Sequence, residues 1–180
     1  SLDATVIELC LSLFNWAKFR TTKGAVKLHI KLNHAGYLPT FAIITTGKVT
    51  EIKVAPLIPL EQGDVVVFDR ALTDFNWYTS LCNRGIYFVT RFKKKLDYRV
   101  IERRGTKHLK NISSDQIIEF KGFYSKERMP YRLRRIRSKD AEAGKYIVLL
   151  TNRFEWSAKT IAQIYKERWQ IELFFKTLKQ

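Results

Sequence analysis

DVVVFDRAL, residues 64–72, places four apolar residues in a row, Val65 to Phe68, between Gly63-Asp64 and Asp69. A strand that is apolar on both faces belongs in the interior of a partly parallel sheet. A helix is predicted next, through FNWYTSLCN (75–83), with Thr73 or Asp74 as its cap and Gly85 at its end. IYFVTRF (86–92) is predicted as the following strand. This order of strand, helix and strand predicts an α/β fold.

Upstream, the pattern is that of strands. AVKLHIKLN (25–33) alternates strictly, which predicts a strand with one covered face. HAGY (34–37) is predicted as a turn into the partner strand LPTFAIITTG (38–47), with Pro39 at its start. DATVIELC (3–10) is a third strand candidate. Pro56 and Pro59 exclude a long helix between residues 49 and 63.

From about residue 93 to residue 145 the composition becomes basic. The runs KKK, ERR, RLRRIR and KDAEAGK interrupt β-like stretches at 97–102, 115–125 and 130–136. This alternation predicts a basic, strand-rich insertion made of hairpins. YIVLLTN (146–152) is predicted as a buried strand, followed by a helix from Ala158 with Ser157 as its cap.

The net charge is the most informative property of the composition. Thirty-three Lys and Arg oppose seventeen Asp and Glu, which gives +16 and an isoelectric point near 10.0. A polyanionic partner, nucleic acid, is favoured over the two alternatives, a role in solubility or contact with acidic lipids. The apolar runs are strand-length and no signal-peptide pattern opens the chain, so we expect a cytosolic protein with reduced thiols at Cys10 and Cys82.

Several other candidate sites are disfavoured. The cysteines and the three histidines, His29, His34 and His108, lack metal-ligand spacing. A Gly-rich phosphate loop is absent from the sequence, which argues against a nucleotide-driven motor. The aromatic residues of the insertion are predicted as hairpin core, with stacking on a flipped base as the alternative; they are Phe123, Tyr124 and Tyr131.

Three carboxylates stand at positions suited to chemistry. Asp69 follows a buried strand, where open α/β sheets place their ligands, although it could instead cap the next helix. Asp3 opens a strand, although it could be solvated and without a role. In YKERWQIELFFKTLKQ (165–180), helical spacing of 100° per residue puts Glu172 at the border of an apolar stripe, within about 60° of Tyr165, Arg168 and Lys179. The alternative is a surface Arg168–Glu172 pair.

Taken together, these acids indicate a metal site. Carboxylates repel the phosphates that a protein of charge +16 attracts, unless a divalent cation lies between them. Mg²⁺ prefers oxygen ligands and is bound by one or two carboxylates together with substrate phosphates. A pair of such ions about 3.5–4 Å apart supports in-line phosphoryl displacement.

The spacing Y-x2-R-x3-E-x6-K, matched by Tyr165, Arg168, Glu172 and Lys179, resembles the signature of the DDE transposases of bacterial insertion sequences, in the group named after insertion sequence four. Residues 2–29, VVVFDRALTDFNW (65–77) and LLTN (149–152) are also similar to that family, so the resemblance covers essentially the whole chain.

The resemblance implies an RNase H-like mixed sheet flanked by helices, with the β-rich insertion at about 93–145 before the last catalytic helix. It implies that Asp3, Asp69 and Glu172 are the catalytic residues and the ligands of two Mg²⁺ or Mn²⁺ ions, and that Tyr165, Arg168 and Lys179 contact DNA. Ala71 stands where the family often has Gly. This departure affects the turn after the strand and leaves the metal ligand Asp69 unchanged.

The implied function is strand cleavage at transposon ends and strand transfer into target DNA, by a homodimer in the bacterial cytoplasm, associated with the nucleoid. The alternatives are an RNase H-like nuclease that does not transpose and an inactive DNA-binding remnant. Because the chain begins just before Asp3 and stops after Lys179, we expect the catalytic core of a longer transposase, or a truncated reading frame, without the flanking regions.

Overall fold

The computed structural model describes residues 1–9, 18–20, 23–93, 96–140 and 144–180. The predictions for Cys10 and for most of the connection after the first strand lie outside these residues. The chain forms two compact units, one of Ser1–Pro59 with Arg168–Gln180 and one of Leu60–Glu167. No helix of the described residues is long and apolar enough to cross a membrane.

The first unit is an antiparallel sheet arranged around one long strand. Its elements are β1 Leu2–Leu9, β2 Lys18–Arg20, β3 Lys23–Leu32, β4 Pro39–Thr46, α1 Glu51–Val54 and α5 Trp169–Leu178. Strands β1, β2 and β4 each pair antiparallel with β3. The predicted hairpin of β3 and β4 is confirmed, with Pro39 as the first residue of β4 and a turn in which Gly36 has a φ of 90°.

The core of the first unit joins the sheet to the last helix. Ile30 and Leu32 of β3 form one buried cluster with Ile171 and Phe175 of α5. The apolar stripe of the last helix therefore packs against the sheet of the first unit. Leu178, the last residue of the helix, is 49% exposed.

The prediction that β3 has one covered face was wrong. His29, on the predicted polar face, is only 4% exposed, and its Nε2 lies 3.0 Å from the hydroxyl of Thr45 on β4. On the same face, Lys27 donates to Glu51 at the start of α1, across 3.2 Å. The polar side chains of Lys27 and His29 therefore bond to partners within the unit instead of facing solvent.

The second unit contains a mixed sheet. Its strands are β5 Val65–Phe68, β6 Tyr87–Arg91, β7 Tyr98–Arg104, β8 Ile112–Phe120, β9 Leu133–Lys139 and β10 Tyr146–Thr151. Their order is β5-β6-β10-β9-β8-β7, with β5 parallel to β6 and the other pairs antiparallel. The predicted insertion thus contributes three strands that continue this sheet.

Helices of the second unit are α2 Phe75–Asn83, α3 Phe123–Arg128 and α4 Ala158–Lys166. The predicted bounds of α2 are confirmed, and Gly85 follows it with a φ of 66°, the left-handed conformation typical of a residue after a helix. The core lies between the sheet and α4, where Val67, Val89, Leu149 and Ile161 form one cluster.

The β-like prediction for residues 121–125 was wrong. The chain leaves β8 at Phe120 and turns into α3, because the Lys126 amide bonds the Gly122 carbonyl at 2.8 Å. Phe123 and Tyr124 are 78% and 71% exposed, so neither is hairpin core. Met129, which is 1% exposed, takes the buried position after the helix.

The helical segment that begins at Ala158 is interrupted within the stretch 165–180, where helical spacing was predicted. Helix α4 ends at Lys166 and α5 begins at Trp169. Glu167 and Arg168 stay in the right-handed region, but their ψ angles of −15° and −29° are those of a tight turn. The Ile171 amide consequently bonds the Arg168 carbonyl, three residues back, at 3.2 Å.

Candidate active site

Asp69 lies at the carboxyl end of β5, as predicted. Its backbone is extended, with φ −80° and ψ 166°, and its side chain makes no capping hydrogen bond. Helix α2 is capped instead by Asp74, whose Oδ1 accepts from the Trp77 amide at 2.8 Å. The alternative in which Asp69 caps the next helix was therefore wrong, and its carboxylate remains available for another role.

Tyr165 is the hydrogen-bond partner that the second unit provides for Asp69. Its hydroxyl donates to Oδ1 of Asp69 across 3.4 Å. The ring is 7% exposed and packs in the core cluster with Val67 and Ile161. The family resemblance implies that Tyr165 contacts DNA, and this stays a prediction. In the structure its ring is anchored in the core and its hydroxyl is directed at the carboxylate.

A buried ion pair holds the loop that leads into α4. Arg134 of β9 is 2% exposed, and it donates to both carboxylate oxygens of Asp115 on β8, at 2.8 and 2.6 Å. Its remaining terminal nitrogen donates to the Phe154 carbonyl at 3.1 Å and to the Trp156 carbonyl. Arg104 donates to the same Phe154 carbonyl at 2.7 Å. We call this set the guanidinium clamp.

The guanidinium clamp fixes where α4 begins. The helix starts directly after the clamped loop, and the Ser157 hydroxyl accepts from the Thr160 amide at 3.0 Å, which confirms Ser157 as the cap. The sequence predicted RLRRIR only as part of a basic, strand-rich insertion, and the buried role of Arg134 was missed. Asp115 could have indicated this pair, because it is an acid two residues before the apolar residues Ile117 and Ile118 in a predicted strand.

Asn152, the last residue of LLTN, ties the end of β10 to its neighbours. Its Oδ1 accepts from the Phe88 amide at 2.8 Å, and its Nδ2 donates to the Ile86 carbonyl at 2.9 Å and to Cys82 Sγ at 3.3 Å. Burial raises the pKa of the Cys82 thiol, although the contact from Asn152 opposes the shift. The raised pKa keeps the Cys82 thiol protonated at neutral pH. Its reduced state stays a prediction.

The first unit brings together Asp3, Arg168 and Glu172. Arg168 Nη1 lies 3.6 Å from Asp3 Oδ2, and its Nη2 donates to Glu172 Oε1 one helical turn later. The side chain of Arg168 is 13% exposed, whereas those of Asp3 and Glu172 are 28% and 34% exposed. The predicted i, i+4 pair exists, but its arginine is largely buried and shared with a second acid, so it is more than a surface pair.

Asp3 is held by the backbone as well as by Arg168. It pairs in register with Ile30 of β3, and its Oδ1 accepts from the Ala4 amide at 2.8 Å. Lys179 has a different setting, because it is the exposed C-cap residue of α5. The unit therefore positions Asp3 and Glu172 through one guanidinium and leaves the Lys179 side chain in solvent.

The donor chemistry of the three predicted ligands fits a hard divalent cation. All are carboxylates, and Asp3 and Glu172 are both partly exposed. Two of them belong to the first unit and Asp69 to the second. Within the described ranges, no group of three or more His, Cys, Asp or Glu side chains is already gathered to hold a metal ion.

The whole sequence matches a known family model. Residues 1–180 fit the family described as transposase DDE domain. The chain belongs to the DDE transposase family. Among curated relatives of this transposase domain, a putative transposase, y4zB, of Sinorhizobium fredii (strain NBRC 101917 / NGR234) is 31% identical over 99% of the chain and 51% of its own length.

A second relative is the probable transposase for insertion sequence element IS5377 of Geobacillus stearothermophilus. It is 28% identical over 99% of the chain and 47% of its own length. The transposase domain thus spans about half the length of the curated relatives it matches.

The fold of the transposase domain is also found among solved structures. The piggyBac transposase, determined by cryo-EM as a synaptic complex with hairpin DNA, superposes with a TM-score of 0.53 at 10% sequence identity. The match covers 98% of this chain and 39% of that one. At this identity the likeness concerns the fold alone, and it confirms the predicted RNase H-like class of a mixed sheet flanked by helices.

Proposed function

We propose that this transposase domain catalyses metal-dependent DNA strand cleavage at transposon ends and transfer of the cleaved end into target DNA. The observation that carries the proposal is the guanidinium of Arg168, which joins Asp3 and Glu172, the first and last of the three predicted acids. In a DDE family member, a largely buried cation shared by these two carboxylates supports the proposal that they act together.

The carboxylates of Asp3, Asp69 and Glu172 would hold two Mg²⁺ or Mn²⁺ ions. Such ions, when bound, activate an attacking oxygen and stabilise a leaving oxygen in phosphoryl transfer. The chain's own residues orient these ligands: Arg168 holds Asp3 and Glu172, and the Tyr165 hydroxyl holds Asp69. Positioning of this kind supplies much of the catalysis in phosphoryl transfer.

The proposed reaction consists of two displacements at phosphorus. In the first, a water oxygen bonds to the phosphorus at the transposon end and the 3′ oxygen leaves. In the second, that 3′ hydroxyl bonds to a phosphorus of target DNA and a 3′ oxygen of the target strand leaves. The hairpin route adds two displacements before this transfer: the 3′ hydroxyl displaces a 3′ oxygen of the opposite strand, and water then opens the hairpin and releases the 3′ hydroxyl. The charge of +16 attracts both DNA substrates, and we propose that Tyr165, Arg168 and Lys179 contact their phosphates near the acids.

We further assign the chain to the group named after insertion sequence four, on the spacing of Tyr165, Arg168, Glu172 and Lys179. A homodimer that joins two transposon ends, acting at the nucleoid in the bacterial cytoplasm, completes the proposal. Changes in spacing would test the assignment: one residue inserted between Arg168 and Glu172 should abolish cleavage, because it breaks the i, i+4 contact.

The central experiment replaces the acids by their amides. Asp69→Asn and Glu172→Gln should each abolish Mg²⁺- or Mn²⁺-dependent cleavage of a transposon-end duplex while leaving duplex binding within about threefold, since an amide keeps the side-chain shape but is a poor ligand for these ions. Glu127→Gln, which changes an exposed carboxylate on α3, is the matched control. Cleavage that survives either active-site change would reject the assignment.

Two alternatives have separate outcomes. A nuclease that does not transpose would hydrolyse the duplex but fail to join a pre-cleaved transposon end to a plasmid. An inactive remnant would bind DNA with a steep salt dependence and show no cleavage in Mn²⁺. Formation of the joined product supports the transposase and excludes both.

A further inference from the structure

A basic cleft lies in the second unit, on residues to which the proposed reaction gives no role. It has a volume of about 670 Å³ and is lined by His108, Leu109, Lys110, Asn111, Lys139 and Lys159. The three lysines come from three separate elements: the β7–β8 loop, the end of β9 and the first turn of α4. All three are exposed at the surface.

The floor of the basic cleft is fixed by backbone hydrogen bonds. The Leu109 amide bonds the Thr106 carbonyl at 2.9 Å, and the Lys139 amide bonds the Asn111 carbonyl at 2.7 Å. Asn111 has a φ of 67°, the left-handed conformation that turns the chain into β8. Leu109 also packs against the core cluster under α4. The cleft is therefore held in shape before any ligand arrives.

The charge of the basic cleft is one-sided. Among the described residues that line it, none is acidic, and three ammonium groups share the space with an imidazole. Like charges held close together repel one another, and an anion removes that repulsion. Lys159 stands in the first turn of α4, where the helix dipole adds positive potential.

We infer that the basic cleft binds the phosphodiester backbone of duplex DNA, outside the acids of the proposed active site. The inference rests on the proposed function, because DNA is the polyanion on which that reaction acts. The volume of about 670 Å³ and the spread of lysines over three elements suit a run of backbone phosphates better than a single small anion. Asn111 and the lysines supply hydrogen-bond donors without base specificity.

The test measures duplex binding without divalent metal, so it does not depend on cleavage. The plot of log K against log salt concentration has a negative slope. In Lys110→Gln/Lys139→Gln/Lys159→Gln, the magnitude of this slope should decrease by about 2 to 3, since each neutralised phosphate contributes about 0.9. The control is Lys48→Gln/Lys53→Gln/Lys121→Gln, an equal change of charge at exposed lysines that do not line the cleft. The control should decrease the magnitude of the slope by less than about 1.

Equal slopes for the two triple variants would overturn the inference, because the cleft would then contribute only net charge. Inorganic phosphate provides the second probe: if the cleft variant loses phosphate binding but keeps the wild-type DNA slope, the cleft is a small-anion site and the inference is again wrong. Circular dichroism confirms that both variants are folded. Failure of the proposed function has a different signature: either Asp69→Asn retains cleavage or the wild-type chain shows none, whatever the cleft variant does.

Discussion

The hydroxyl of Tyr165 lies 3.4 Å from Oδ1 of Asp69, although the two residues are 96 positions apart in sequence. The phenol ring is anchored in the core of the second unit, and the carboxylate follows a buried strand of the same unit. The contact links helix α4 to the end of strand β5 that carries the candidate ligand Asp69. We therefore expect Tyr165 to position that carboxylate.

Tyr165→Phe isolates that role, because it removes the hydroxyl and keeps the ring. Loss of one hydrogen bond of about 1 kcal/mol should lower the cleavage rate about fivefold. The free energy of unfolding should fall by no more than about 1 kcal/mol. Tyr146→Phe, at a tyrosine that is 49% exposed, is the control and should change neither quantity. An unchanged cleavage rate in Tyr165→Phe would contradict the positioning role.

Arg168 is expected to act on two acids at once. Arg168→Met leaves Asp3 and Glu172 without their shared cation. The loss of the charge-assisted hydrogen bond to Glu172, worth about 1.5–3 kcal/mol, and of the ion pair with Asp3 should reduce cleavage by roughly 10- to 150-fold. Arg168→Lys keeps the charge but not the forked geometry, so an intermediate loss is expected. Single-turnover cleavage rates measure both effects.

Arg99→Met is the comparison for Arg168→Met. Arg99 is also paired with a glutamate, Glu119, but its side chain is 58% exposed. Its removal should cost less than about 1 kcal/mol of stability and leave cleavage unchanged. If Arg168→Met behaved like Arg99→Met, the pair at Glu172 would be only a surface ion pair.

Removal of Arg134 from the guanidinium clamp should greatly lower the free energy of unfolding. Arg134→Met leaves the buried carboxylate of Asp115 without a partner and should cost about 3–5 kcal/mol of unfolding free energy in urea titrations. Arg104→Met should cost only about 1 kcal/mol, since that side chain is 31% exposed and makes one of the bonds to the Phe154 carbonyl.

A double variant separates the ion pair from the loop contacts. Arg134→Met/Asp115→Leu removes both buried charges and should recover much of the loss, because the uncompensated charge is the expensive part. The part that is not recovered reports the bonds from Arg134 to the carbonyls of Phe154 and Trp156. A double variant no more stable than Arg134→Met would show that the charge is not the main cost.

His29 predicts a pH dependence of stability. Burial lowers the pKa of His29 from 6.5, with Glu51 opposing the shift. The unfolded chain therefore binds a proton at a higher pH than the folded chain does, so the stabilisation is complete above pH 6.5 and is lost as the pH falls below it.

His29→Gln keeps a polar group near Thr45 and removes the titration. The wild-type protein should lose more unfolding free energy than this variant between about pH 7.5 and about pH 5.5, measured by urea titration. His108→Gln, at an exposed position, should behave like the wild type. A pH dependence that persists in His29→Gln would place its origin in another group.

Local patterns predicted those parts of the fold that depend on neighbours in sequence. The bounds of α2, the β3–β4 hairpin and the Ser157 cap were all predicted, because apolar periodicity and capping residues act over a few positions. The same reasoning failed at residues 121–125, where β propensity competed with a helical turn closed by Gly122 and Lys126.

The sequence by itself determined the α/β class and the candidate acids, because strand ends and the spacing of Arg168 and Glu172 are properties of short stretches. It also determined the positive charge, which is a sum over the residues. Only the tertiary structure decided that Arg168 also reaches Asp3, that Tyr165 holds Asp69 and that Arg134 is buried against Asp115. These partners are far apart in the chain. Strand register and helix packing, set by the whole core, choose which of many possible charges meet.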